Sequence, residues 1–86
     1  MNTPNWRYVA STWLRAVAYV KPATNVGPGL GMVLMQTKAG KVYCWLAPSW
    51  VYGLVCAHRS TGRSITMLVK RYAVQRAVRV PALEGS

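Results

Sequence analysis

Eleven Lys and Arg side chains share this chain with a single carboxylate, Glu84. A net charge of +10 on 9.5 kDa makes any compact state repel itself, a cost that an anionic partner would screen. Against that repulsion stand the apolar residues, 52% of the chain, which are enough to form a core. With 86 residues there is material for one domain and not for two. A core of that size stabilises a fold by only a few kcal/mol, so pairing into a homodimer would help. The plainest use of the charge is to keep an apolar chain in solution. Solubility alone, however, does not require near-total loss of Asp and Glu.

The same shortage removes chemistry. Glu84 falls in a polar tail, PALEGS, whose composition predicts disorder over 81–86. One frayed carboxylate cannot do paired acid/base work or hold Mg²⁺ or Ca²⁺. Cys44 and Cys56 are not spaced as a CxxC pair, and His58 cannot complete a four-ligand zinc site with them. No metal or other cofactor is expected. A disulfide is open to the two cysteines, but residues 1–7 lack the charged start and apolar run of a signal peptide. The expectation is therefore a cytoplasmic protein with both thiols reduced and buried. The uncharged stretch 42–57 is shorter than the roughly 20 residues that span a bilayer, and Pro48 and Gly53 interrupt it.

Along the chain, residues 1–12 read as an arm that packs through Trp6 or Tyr8, and 13–80 as one α+β domain. Trp13 to Val20 predicts a strand, although its Leu and Ala leave a helix open. Strict alternation puts Trp13, Arg15, Val17 and Tyr19 on one side and Leu14, Ala16, Ala18 and Val20 on the other. Two prolines and two glycines make 21–29 a loop. Leu30–Thr37 and Val42–Leu46 then form an antiparallel hairpin, with Gly40 suited to a positive φ in the turn. Pro48 can open a helix in which Val51, Leu54, Val55 and His58, and also Trp50, Leu54 and Ala57, recur at helical spacing. After the Ser60-Thr61-Gly62 break, Ser64 caps a second helix with the stripe Ile65, Leu68, Val69 and Tyr72. Residues 74–80 extend that helix or form a last short strand. The fold class expected is a small three-stranded antiparallel sheet, with a fourth short strand open, followed by two helices on one face.

Six of the eleven cations fall between 59 and 79: Arg59, Arg63, Lys70, Arg71, Arg76 and Arg79. Five are arginines, whose planar forks pair bidentately with phosphate and stack on bases. A merely solvated helix would more often mix Lys with Glu. Arg59, Arg63 and the start of the second helix suggest a place for one phosphate. The second candidate surface is aromatic. Tyr43 and Trp45 share one strand face, while Val42, Cys44 and Leu46 share the other. Helices over the aliphatic face would leave the aromatic pair open for bases to stack on. The competing expectation puts both rings in the core.

The order of residues resembles the KTSC domain, a short module found at the C-terminus of some lysyl-tRNA synthetases and as small free-standing bacterial and phage proteins. The resemblance runs over residues 11–76. It rests on the opening strand Trp13 to Tyr19, Gly40 before Tyr43-Cys44-Trp45, Pro48 and Tyr52, the Ala57, Ser60 and Gly62 break, and Tyr72. Trp45 departs from a usual Tyr, Ser64-Ile65-Thr66 replaces a more aromatic, Asn-containing stretch, and the loop 21–29 is an insertion. The resemblance implies the fold and only suggests RNA binding.

Three functions compete on the sequence. The first is nucleic-acid binding, RNA before DNA, through Arg59, Arg63, Lys70, Arg71, Arg76 and Arg79 with stacking by Tyr43, Trp45 or Tyr52. The second is a phage or bacterial inhibitor or adaptor that docks on an acidic host protein, where Trp, Tyr and Arg serve as anchors. The third is a minimal ribonuclease using His58 with Arg59, Tyr52 or Ser60. A lone histidine ending an amphipathic helix argues against catalysis.

Overall fold

The computed structural model describes residues 4–9, 13–21, 29–57 and 62–84. In chain order it contains β1 (Arg7–Tyr8), β2 (Leu14–Val20), β3 (Leu30–Thr37), β4 (Val42–Pro48), α1 (Ser49–Ala57), α2 (Gly62–Tyr72), β5 (Val78–Arg79) and a 3₁₀ turn at Pro81–Leu83. The five strands lie side by side in chain order, every neighbour antiparallel. The α+β class and the helix pair match expectation; the sheet has two more strands than the three expected. One comes from the arm, where Arg7 pairs with Val17 and Tyr8 with Ala16. The other is β5, so the short-strand alternative for 74–80 holds. Two-residue strands carry no period, which is why alternation could not announce them.

The hairpin anchors the sheet. β3 and β4 pair from Leu30↔Pro48 to Gln36↔Val42. In the turn the Thr37 N–H donates to the Lys41 carbonyl at 2.8 Å and the Gly40 N–H to the Thr37 carbonyl at 2.9 Å. Gly40 has φ +93°, a conformation that a side chain resists. Pro48 closes β4 rather than opening α1, which starts one residue later.

Strict alternation fails in β2 because of a bulge. Leu14 faces Thr37 while Ala16 faces Gln36, so Arg15 is one residue too many for the partner strand. Leu14 therefore joins Val17 in the core, where the alternating pattern had separated them. Cross-strand pairing then defines two faces. Val17↔Met35↔Tyr43 and Tyr19↔Val33↔Trp45 lie on one, and Ala18↔Leu34↔Cys44 and Val20↔Met32↔Leu46 on the other. Both helices cover the first. Val51 and Val55 of α1 and Ile65 and Val69 of α2 pack with Leu14, Val17, Val33, Met35, Trp45 and Ala47. Bulk explains the choice, since burying one large aromatic alone contributes about 4–6 kcal/mol of gross transfer free energy. The same rows of the opposite face carry no aromatic, only Ala18, Leu34, Cys44, Val20, Met32 and Leu46.

The α2 stripe is as read: Ile65 and Val69 are buried, and Leu68 and Tyr72 pack against the core. In α1 only part of the expectation holds. Val51 and Val55 are buried, but Leu54 is 39% and Trp50 52% exposed. The chain after β5 also departs from the expected disorder, because Pro81–Leu83 form a 3₁₀ turn that brings Glu84 back to the sheet.

Candidate nucleic-acid interface

Of the aromatic platform, Trp45 is excluded by the packing: it is 6% exposed and belongs to the core that the helices cover. Tyr43 is half-buried beside it, ring centroids 6.3 Å apart, and packs on the same core. Tyr52 turns toward the sheet, 5.7 Å from the Tyr19 ring. Burial first, then a hydrogen bond with Cys56, pushes its phenol up to about 12. None of the three is an open surface for a base. The expected arrangement required helices over the aliphatic face, and they cover the aromatic one.

The cations divide as well. Arg79 lies in β5, opposite Tyr43, and is held by the chain's sole carboxylate. Its Nε donates to Glu84 Oε1 at 2.8 Å and its Nη2 to Oε2 at 2.9 Å. The Val42 N–H also donates to Oε1, at 3.2 Å. The Arg79 hydrogen bonds hold the Glu84 carboxyl below its ordinary value. Glu84 is thus ion-paired and hydrogen-bonded to the sheet rather than a frayed tail residue, and Arg79 is the cation it pairs with. Arg59, His58 and Ser60, and the side chains of Arg63 and Ser64, lie outside the described residues, as does the phosphate site expected there.

Lys70 and Arg76 do come together. The Val74 N–H donates to the Leu46 carbonyl at 2.8 Å, and Val78 stands opposite Cys44. Between those two anchors on β4 the chain has residues to spare, so Gln75, Arg76 and Ala77 loop outward. Arg76 and Lys70 line an open groove of about 570 Å³ with Trp45, Ala73 and Val74. Arg76 also borders a smaller groove, about 360 Å³, lined by Met32, Cys44, Leu46, Val78 and Val80. Cys44, half-buried rather than buried, has its thiol pushed up by that burial. It lies on the sheet face away from the helices, so it and the free Cys56 of α1 are not partners.

Arg71 stands next to Lys70 in the exposed last turn of α2, as read. Its guanidinium lies 5.6 Å from the Tyr72 ring centre, and Tyr72 meets Trp50 edge-on, centroids 4.7 Å apart at 68°. This Arg71–Tyr72–Trp50 stack was not anticipated. α1 carries no charged residue, so its sequence could not say which apolar row would be left outside. Successive residues of a helix are about 100° apart. Lys70 therefore leans to the groove, Tyr72 to α1, and Arg71 stands between them.

Among the described residues no cluster of His, Cys, Asp or Glu could hold a metal ion, and no helix is long and apolar enough to cross a membrane. Neither a family model, nor a curated protein, nor a solved structure matches this chain.

Proposed function

We propose that this chain is a non-catalytic cytoplasmic module that binds nucleic acid, RNA in the first place, through the cations around the C-terminal end of α2. One observation carries the reading. Lys70, Arg71 and Arg76 stand exposed within one short segment, while the sole carboxylate is bound to Arg79. No acidic side chain is left to neutralise them, so the counter-charge must come from outside the chain. A phosphate backbone supplies it at regular spacing, and arginine forks suit phosphate geometry. Arg63 belongs to the same helix and Arg59 precedes it in the sequence. The likeness to the KTSC module belongs to this proposal and adds no ligand to it.

The test is the salt dependence of RNA affinity. Three phosphate contacts on a single strand give a log–log slope of about −2, at about −0.7 per contact. Replacing Lys70, Arg71 and Arg76 together by Ala should flatten that slope while urea unfolding stays unchanged. An affinity already flat between low and moderate salt would remove the reading.

A second reading has its own observation. Trp50, Leu54 and Met67 are 52%, 39% and 62% exposed on the helical layer, and apolar anchors beside cations suit an acidic protein surface. A partner retained from nuclease-treated lysate, with no RNA affinity in the purified chain, would favour this over RNA.

A further inference from the structure

The groove between Lys70 and Arg76 says how phosphates could be held, but a cationic groove alone does not distinguish paired from unpaired RNA. The stack beside it does. We infer that the RNA recognised is single-stranded and that Trp50 is the platform on which one unpaired base stacks. The inference rests on the nucleic-acid reading above.

Trp50 is 52% exposed yet is not a loosely held side chain. Its indole meets the Tyr72 ring edge-on at 4.7 Å, and Tyr72 in turn packs against the core and lies under Arg71. The three groups form a contiguous series, cation over ring and ring edge-on to ring, in which the outermost ring is half open. An aromatic fixed in this way gives a base a flat apolar partner at little cost in side-chain freedom. In a duplex the base faces are already occupied by their neighbours, so the indole would gain nothing there. Unpaired bases can splay out and stack on an aromatic, with a guanidinium close by for the adjoining phosphate. Arg71 is that guanidinium. Lys70 and Arg76, on the other side of the α2 end, continue the positive track, so backbone and base contacts alternate along one path. The sequence pointed to Tyr43, Trp45 and Tyr52 for stacking; the packing turns those rings toward the core and leaves Trp50 outside.

The experiment compares a fluorescein-labelled oligouridylate with a blunt RNA duplex of the same length, by anisotropy, across a salt series. Trp50→Ala should weaken oligouridylate binding about ten-fold, the scale of one lost base–aromatic stack, with the salt slope unchanged because no phosphate contact is removed. Duplex binding should not change, and Trp50→Tyr should keep most of the affinity. Arg71→Ala, by contrast, should reduce the slope. Duplex affinity and the urea midpoint report on the fold of each variant. Equal losses on both RNAs, or no loss on oligouridylate, overturn the inference while a steep salt slope leaves the nucleic-acid reading standing. Binding of neither RNA by the unaltered chain at low salt overturns both.

Discussion

Two regions of this molecule carry the same pair of residue types and use them in opposite ways. Along β4 and β5, a tryptophan and an arginine are taken up by the fold: Trp45 is buried under the helices and Arg79 is clasped by Glu84. Where the start of α1 meets the end of α2, Trp50 stands half outside and Arg71 is exposed, with no carboxylate left for it. Residue type therefore does not separate the side chains that this fold takes up from those it leaves outside. Which face the helices cover, and where the one acid lies, does.

The largest expected effect breaks the parallel between the two tryptophans. Trp45→Ala empties a site shared with Val33, Met35 and Val69 and should cost about 3–5 kcal/mol, enough to unfold much of a small domain. Trp45→Phe, which keeps most of the bulk, should cost clearly less. Trp50→Ala forfeits the burial of about half a side chain and an edge-to-face pair with Tyr72, about 2 kcal/mol together. Urea denaturation of the three variants measures the ranking. If Trp50→Ala proves as damaging as Trp45→Ala, Trp50 is a core residue and the outer region loses its distinct status.

A smaller effect probes how the helix-covered face is filled without touching either tryptophan. Gly31 lies in β3 opposite Ala47, and a Cβ there would run into the ring of Tyr19 from the adjacent strand. The ring occupies the space that the missing side chain leaves, and it also meets Tyr52 of α1 at 5.7 Å. Gly31→Ala should displace it and cost about 1–3 kcal/mol. In a Tyr19→Ala background the same substitution should cost nothing measurable. An equal penalty in both backgrounds would mean that the strain lies in the backbone and not under the ring.

Much of this fold was legible where one residue type settles a local conformation. Gly40 marked the hairpin turn, and the Ile65, Leu68, Val69 and Tyr72 stripe marked α2, because each is a short-range rule. What escaped depends on long-range choices. The bulge at Arg15 changes which β2 residues share a face, and no residue in that strand signals it. α1 is apolar on every side, so its sequence could not exclude Trp50 and Leu54 from the core. Of the cationic site, Lys70 and Arg71 were readable from the helix stripe they stand off. The pairing of Arg79 was not, because it depends on a turn at Pro81–Leu83 that folds Glu84 back toward Val42.

The smallest expected effect sharpens the contrast between Arg79 and Arg71. Glu84 is the sole acidic side chain, so it is the one side-chain carboxyl that shapes the acid limb of the stability profile. Its folded pKa is lowered, chiefly by the hydrogen bonds from Arg79. A depressed carboxyl adds stability that is present above the unfolded value, about 4.3, and is lost as pH falls through the folded value. The unaltered chain should therefore lose a little stability on acidification below about pH 4.3, and Glu84→Gln should lack that step. The pair is exposed, so the step should shrink in high salt. Glu84→Gln also frees Arg79 and takes the net charge from +10 to +11, one negative side chain being removed. With Arg79 released beside β4 but away from the α2 end, RNA affinity should rise only modestly, through the general field. Arg79→Ala in the unaltered chain should weaken RNA binding far less than Arg71→Ala does. Equal losses from the two would place Arg79 on the same binding surface, and the division of this molecule into a region that spends its arginine on folding and a region that keeps it free would fail.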